Sequence, residues 1–488
     1  MKALRYFLIF SVLLYITTAF ALTAGQRGSL FSGIKPVFSE NFLGESSVPS
    51  GNFTSNLTYS GVSLSTMTDA TGALTYKPNN LLLQSNTFAS PWLYLQTGTG
   101  VTPVVTPNFA IAPDGTSTAA RIQLNLGATP STSLSRMFQG VGANLNSGMN
   151  DVWLKTNDGS SLNIYFTSSS GISVLKTITG AWQQVFSKGA AVISSQIQFG
   201  LSGSGSSIGL STAVSADLLA WMVGQSAVTY ETTPRPGDQV ITTSAAYYGP
   251  RFDYSPSSVG TPLGLLVEAA ATNVVLQDRH LATTWVSTNV TAANTQTGID
   301  GVANSASSLT ATAGNGTTCQ AITLGSSARF ESAYVKRITG TGVVNLSMDN
   351  GATYTPITIP VAFGRVSIPT QTLANPEPCF QITTNGDAIA VDVVQNETGS
   401  SGATSAILTT TTSVTRAADS VTKAGALASA AAAGVLRWKR TNEFTKVTAC
   451  QAYAAGASPS TFDTGYWYQN VSVYSPGVTL AKVNALPC

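Results

Sequence analysis

Asn80-Leu81-Leu82-Leu83-Gln84 recurs further along the chain as Asn273-Val274-Val275-Leu276-Gln277. The expected fold follows from that recurrence, because an internal repeat constrains architecture before local propensity does. Trp92 matches Trp285 at the same separation, 193 residues. Asp114-Gly115 matches Asp300-Gly301 at 186, Trp153-Leu154-Lys155 matches Tyr334-Val335-Lys336 at 181, and Trp182 matches Phe363 at 181 again. Asp217 and Gln225 match Asp387 and Gln395 at 170. The order of the blocks never breaks, and the separation shrinks only between them, as loop deletions would make it do. Two copies of one module are therefore expected at residues 80–238 and 273–419. Around them stand an N-terminal segment 1–21, a lead-in 22–79, a connector 239–272 and a tail 420–488.

Each copy alternates short β-rich runs with turns of Gly, Ser, Asn and Asp. Ala388-Ile389-Ala390-Val391-Asp392-Val393-Val394 reads as a buried strand, and Ser160-Ser161-Leu162-Asn163-Ile164-Tyr165-Phe166 alternates as a half-buried one. Val343-Val344-Asn345-Leu346-Ser347-Met348 ends in the turn Asp349-Asn350-Gly351. No long stretch has a 3.6-residue period, which argues against parallel α/β folds. Roughly 150 residues per copy at this strand spacing predict an all-β chain of two tandem antiparallel β-sandwich domains of jelly-roll type, with short β-rich segments at both ends.

Composition narrows the function. Lys and Arg number 24 against 22 Asp and Glu, so the net charge of +2 gives no electrostatic reason to expect nucleic acid. Charged residues are 9% and hydrophobic ones 43%, too apolar for a disordered chain. Met1–Ala21 reads as a signal peptide: Lys2 and Arg5 are basic, Tyr6–Ile16 is apolar, and Ala19-Phe20-Ala21 offers a cleavage site after Ala21. The alternative for this segment is a short apolar anchor, and no later stretch is long enough to span a bilayer. Four cysteines, Cys319, Cys379, Cys450 and Cys488, lack the close spacing of a zinc site. Behind a signal-like start they suggest two disulfides. Of three pairings, nesting by module favours Cys319–Cys379 and Cys450–Cys488; reduced buried thiols are the alternative.

The connector carries Pro250-Arg251-Phe252-Asp253-Tyr254-Ser255-Pro256, then Pro262-Leu263-Gly264-Leu265-Leu266-Val267-Glu268, then Thr272-Asn273-Val274-Val275-Leu276-Gln277. The exit from the second copy carries Gln395, Glu397, Gly399, then Ala403-Thr404-Ser405, then Val414-Thr415-Arg416-Ala417-Ala418-Asp419. Together these closely resemble segments of bacteriophage tail-fibre and head-spike fibre proteins, over roughly residues 60–420. In that family they frame a carbohydrate-binding-module-like jelly roll. The resemblance implies a virion structural protein that presents such modules to host-surface glycans, assembled as a homo-oligomer with other virion proteins at the virion surface. A true signal at Met1–Ala21 departs from this pattern and points to a secreted or surface bacterial lectin or adhesin instead.

Catalytic chemistry has little support. His280 is the one histidine, with no Gly-x-Ser-x-Gly elbow to make a triad of it. Acidic residues are scattered, which leaves a polysaccharide-acting enzyme as the third reading. No phosphate-binding or dinucleotide motif appears. A structural calcium ion in a jelly-roll loop is the one cofactor the sequence leaves room for, although Asp114, Asp217, Asp300 and Asp387 read better as turn and strand-end residues. Aromatics shared by both copies, Trp92/Trp285, Trp153/Tyr334 and Trp182/Phe363, are expected in the cores. Unshared ones, Tyr94, Tyr466, Trp467 and Tyr468, are the ligand-binding candidates, with Tyr466 and Tyr468 on one strand face and Trp467 on the other.

Overall fold

The computed structural model describes residues 36–43, 56–140, 145–167, 173–193, 196–203, 213–398, 400 and 402–488. Met1–Ala21, with the signal or anchor expected there, lies outside them. Among the described residues no helix is long and apolar enough to cross a membrane.

The first copy has ten principal strands: β1 (Leu93–Thr97), β2 (Val101–Ala110), β3 (Ala119–Asn125), β4 (Leu134–Gly140), β5 (Leu145–Thr156), β6 (Leu162–Thr167), β7 (Ser173–Ile178), β8 (Gln183–Ile193), β9 (Gln196–Ser202) and β10 (Ser215–Ala227). They form two antiparallel sheets, β8-β5-β10-β3-β2 and β7-β6-β9-β4-β1. The second copy has β11 (Val286–Thr288), β12 (Val290–Gln296), β13 (Ala306–Ala311), β14 (Gly316–Cys319), β15 (Ser327–Thr339), β16 (Val344–Ser347), β17 (Thr355–Ile357), β18 (Gly364–Leu373), β19 (Cys379–Ile382) and β20 (Ala388–Thr398). Their sheets run β18-β15-β20-β13-β12 and β17-β16-β19-β14-β11. Each strand of the second copy sits ten places after its counterpart, in the same order within the same sheet. The chain is thus all-β, with two jelly-roll sandwiches built on one topology.

The period-2 pattern decides what is inside. Ile122 and Leu124 on β3, Ile164 and Phe166 on β6, and Ile197, Phe199 and Leu201 on β9 meet between the sheets of the first copy. Trp92, 4% exposed, sits in that core and donates its indole N–H to Leu83 O at 3.0 Å. Trp285 does the same in the second core, donating to Leu276 O at 3.2 Å. A pair that the block matching missed holds the same strand start. Gln139 and Gln320 each clamp one backbone position, taking its N–H and bonding its carbonyl, at Leu83 and Leu276 respectively.

Register shows one slip. Gln225 stands opposite Asn150, and Asn396 opposite Glu331, so Gln225 is equivalent to Asn396 and not to Gln395. The same offset runs the length of the strand, so Asp217 is equivalent to Ala388 and not to Asp387. Both copies also share a bulge, where β10 and β20 each carry one extra residue. Met222 and Val393 occupy it with φ of +47° and +44°, a strained setting for a side chain that both copies nevertheless keep.

Lead-in, connector and tail, expected as separate short pieces, share one further sheet. Arg251–Tyr254, Pro262–Val267, Tyr466–Tyr474, Val435–Asn442 and Thr448–Tyr453 lie side by side, and Pro36–Asn41 also pairs with Tyr466–Tyr474. Phe42, Leu57, Phe252, Leu265, Trp438, Phe462 and Tyr468 form its core. Beside it the two sequence signatures meet as a buried ion cluster. Arg251 pairs with both Glu268 and Asp419, and Arg416 pairs with Glu268. Ser405 Oγ accepts from both arginines at 2.8 Å. Four charges taken from water hold one another, which is how a fold tolerates them. The lead-in hairpin Thr66–Thr68/Leu74–Tyr76 touches both jelly rolls: Leu74 N donates to Ile299 O, and Thr229 Oγ1 donates to Leu74 O.

Candidate functional site

The ligand candidates drawn from sequence separate sharply. Tyr94, on edge strand β1, is 41% exposed. Tyr468 is fully buried, packed on Trp438 and Phe462, with its hydroxyl on Asp463 O at 3.1 Å. Trp467 is buried on the opposite face, donating to Asp253 Oδ2 at 2.8 Å, with the Lys446 ammonium 4.2 Å from its ring. Tyr466 is half-buried under the Arg440 guanidinium, 4.0 Å from its ring. The two faces are as expected, but both are covered: one packs on Trp438 and Phe462 under Arg440, the other against Asp253 under Lys446. Trp467 and Tyr468 are therefore corrected from ligand candidates to packing residues.

The shared aromatics split the other way. Trp92 and Trp285 are core, as expected. Trp153 and Trp182 are not: they lie half-buried on the outer side of sheet β8-β5-β10-β3-β2. Val152 and Leu154 point inward, so Trp153 and Lys155 between and beyond them point out. Trp153 stands directly opposite Trp221 on β10 and Gln184 on β8. With Trp182, Ala119 and Met222 these make an apolar cluster of the module's own residues. Polar groups border it. Lys155 Nζ lies 5.4 Å from the Trp182 ring. Asp151 accepts from Gln184 Nε2 at 2.9 Å, and burial pushes its carboxyl up to about 7. Gly224 makes room for that carboxylate, since a Cβ there would collide with it. Arg121 and Asp217 pair at 2.7 Å further along. The Trp153 indole N–H is buried without an acceptor, which costs about 1–3 kcal/mol unless something supplies one.

In the second copy this face is built over. Tyr334, Ile299 and Val393 pack against Leu74 of the lead-in and against Ala406 and Leu408 of the exit segment. Arg365, opposite Tyr334, donates to Thr404 O and to Ser332 Oγ. Asp392 takes the place of Trp221 and is held by Arg279 at 2.7 Å, which also binds Asp300 at 2.6 Å.

His280 is half-buried, and burial lowers its pKa ahead of the Arg279 charge beside it. The four recurring aspartates are each engaged. Asp114 closes a turn on Thr116, Asp217 holds Arg121, Asp300 holds Arg279, and Asp387 accepts from Gly342 N at 2.6 Å. Cys319 is joined to Cys379 and Cys450 to Cys488. Among the described residues the one cluster of three metal-ligand types in mutual reach is Cys319, Glu377 and Cys379, two of which are that disulfide.

No protein-family model matches the chain, and no curated protein matches it. Among solved structures it is similar to the N-terminal CBM22-1–CBM22-2 tandem domain of Paenibacillus barcinonensis Xyn10C, at 11% identity over 66% of this chain and 98% of that one, TM-score 0.21. It is also similar to the C-terminal CBM6 of LamC from Zobellia galactanivorans, at 10% identity over 26% of this chain and 98% of that one, TM-score 0.19. Scores this low carry no functional argument.

Proposed function

We propose that the chain is a non-catalytic glycan-attachment component of a virion fibre or spike, with the first jelly roll carrying the binding face. The observation behind this is the asymmetry between the copies. One topology gives both modules the same outer face. The second copy's is consumed by the chain's own lead-in and exit, whereas the first copy's, among the described residues, keeps Trp153 and Trp182 half-exposed over buried Trp221, bordered by Lys155 and Gln184. Indoles offer large, rigid apolar area, suited to the C–H faces of sugar rings, and a few placed polar groups fix orientation. The resemblance of connector and exit to phage fibres supplies the setting: a homo-oligomer among other virion proteins, facing host glycans. Met1–Ala21 favours a second reading with the same binding face, a secreted or surface bacterial lectin.

The test is binding of the purified chain to host cells and to their extracted polysaccharide. The double variant Trp153→Ala/Trp182→Ala should lose at least about tenfold in affinity while retaining its fold. Undiminished binding by a folded double variant overturns the assignment of the face. Mass spectrometry of the N-terminal peptide, starting at Met1 or at Leu22, separates the two settings.

A further inference from the structure

The other sheet of the first module holds a charge that its own fold leaves unanswered. On the outer side of β7-β6-β9-β4-β1, Arg136, Gly200 and Tyr165 stand opposite one another on β4, β9 and β6. The Arg136 guanidinium reaches over Gly200 and lies on the Tyr165 ring, its Cζ 3.5 Å from the centroid. Glycine is needed at 200, where φ is +147° and a Cβ would come within 2.8 Å of Arg136 Cα.

Arg136 is 7% exposed. Its Nη2 donates to Ser202 Oγ at 2.5 Å, and its Nε is buried without an acceptor. Of the other arginines of like burial, which share the orphaned Nε except for Arg440, Arg251, Arg416 and Arg440 hold carboxylates, whereas Arg329 bonds only Gly325 O and Thr398 Oγ1. Among the described residues no carboxylate pairs with Arg136, and burial accordingly lowers its pKa. Of the residues outside the described ones, Glu45 is the single acid, and those of the first module, 141–144, 168–172, 194–195 and 204–212, contain no Asp or Glu.

The second copy shows that the scaffold does not require this arginine. Its equivalent row reads Thr317, Gln381, Asn345, and Asn345 Nδ2 satisfies Gln381 Oε1 at 2.7 Å. At this row the cation is found in one copy alone; without a counter-ion among the described residues it costs stability, and an arriving anion would recover that cost. A guanidinium fork matches a planar acid group. Beside it lie Leu95, Phe138 and Gln198, apolar surface and one amide, on the same face.

We propose that Arg136 is an anion subsite taking the acid group, carboxylate or sulfate ester, of an acidic sugar. This rests on the reading of the first module as glycan-binding, but on a different face from the tryptophans. Calorimetric titration of the full chain with trigalacturonate, with galactotriose and with sulfated galactotriose tests it. The wild type should bind an acidic trisaccharide about tenfold tighter than galactotriose, a preference that falls with added salt. The two acidic probes distinguish carboxylate from sulfate. Arg136→Gln should abolish the preference and melt no lower than wild type. Trp153→Ala should leave the preference in place, so failure at the tryptophan face is read separately from failure here. A wild type with no preference for either acidic probe overturns the proposal. So does an Arg136→Gln variant that keeps the preference, or one that melts early and so marks the arginine as packing.

Discussion

At the scale of single residues, aromatic identity and aromatic role came apart. Matching blocks located three shared aromatic pairs and missed Phe199/Phe380, which pack with Trp92 and Trp285; and alternation along a strand says only that neighbours face opposite ways, not which way faces the core. Trp92 and Trp153 look alike in sequence; the first fills a core and the second lies on an outer face. Trp92→Ala or Trp285→Ala should therefore cost about 3–5 kcal/mol in chemical denaturation, through the cavity left behind. Trp153→Ala should cost about 1 kcal/mol, nearer the surface range. Lys77 was invisible as a special residue. It is buried beneath Tyr59 and Tyr248, its Nζ 3.1 Å from the Tyr59 hydroxyl, and burial lowers its pKa to about 7. In the unfolded chain it titrates near 10.5. Between those values the unfolded state binds the extra proton, so this lysine's contribution to stability rises with pH from about 7 to about 10.5. Glu443, raised by burial to about 9, works against it, losing stability as pH climbs from about 4.5 to 9. The comparison that isolates the lysine is Lys77→Met. The variant should gain on wild type at pH 6, and that gain should shrink steadily toward pH 10 in paired thermal melts. A gain independent of pH would mean the lysine is not neutral in the fold.

At the scale of elements, the repeat made it legible that both copies share one fold, while the strand order itself came from the structure. The bulge at Met222 and Val393 was not legible. A bulge adds one residue to a strand without a compositional mark; the Gln225/Gln395 match was a separate one-residue error, made because adjacent residues of one strand are easily confused when only their types are compared. The disulfides joined elements as nesting suggested. Cys319 and Cys379 stand directly opposite on β14 and β19, while Cys450 ties the strand Thr448–Tyr453 to the chain end beyond the helix Leu480–Asn484. They close loops of 60 and 38 residues, each contributing about 2–4 kcal/mol by constraint of the unfolded chain. Their loss should differ in kind. Cys319→Ser/Cys379→Ser should lower the melting temperature of the second jelly roll. Cys450→Ser/Cys488→Ser should first free the C-terminal helix, seen as early proteolytic trimming near Leu480 with the jelly-roll melts unchanged. Equal trimming of wild type and variant would show that packing of Val483 alone holds the helix.

At the scale of the whole molecule, the sequence offered three leftover segments and the structure makes one body of them. Pairing between Pro36–Asn41 and Tyr466–Tyr474 spans more than four hundred residues, a distance at which local pattern carries no signal. The same holds for the ion cluster. Arg251, Glu268, Arg416 and Asp419 stood out only through a resemblance of their segments to phage fibres, and in the structure they bolt together the entry to and exit from the second jelly roll beside the shared sheet. This arrangement predicts how the chain comes apart. The two jelly rolls have cores of their own, from residues internal to each copy. The shared sheet depends on Trp438, Tyr468, Val471 and Val473 from the tail. A chain ending at Gly434 loses three of the six strands, the cover of Asp253 by Trp467, and the partner of Pro36–Asn41. Calorimetry of that chain should show the jelly-roll transitions persisting and one transition missing. Protease should then cut the lead-in before about residue 60, where loss of packing leaves backbone exposed. Glycan binding at the tryptophan face should survive, because none of its residues touches the tail. If the shortened chain instead melts in a single step at a much lower temperature, the three units fold as one cooperative body, and the shared sheet is the keystone of both jelly rolls, not a clasp between them.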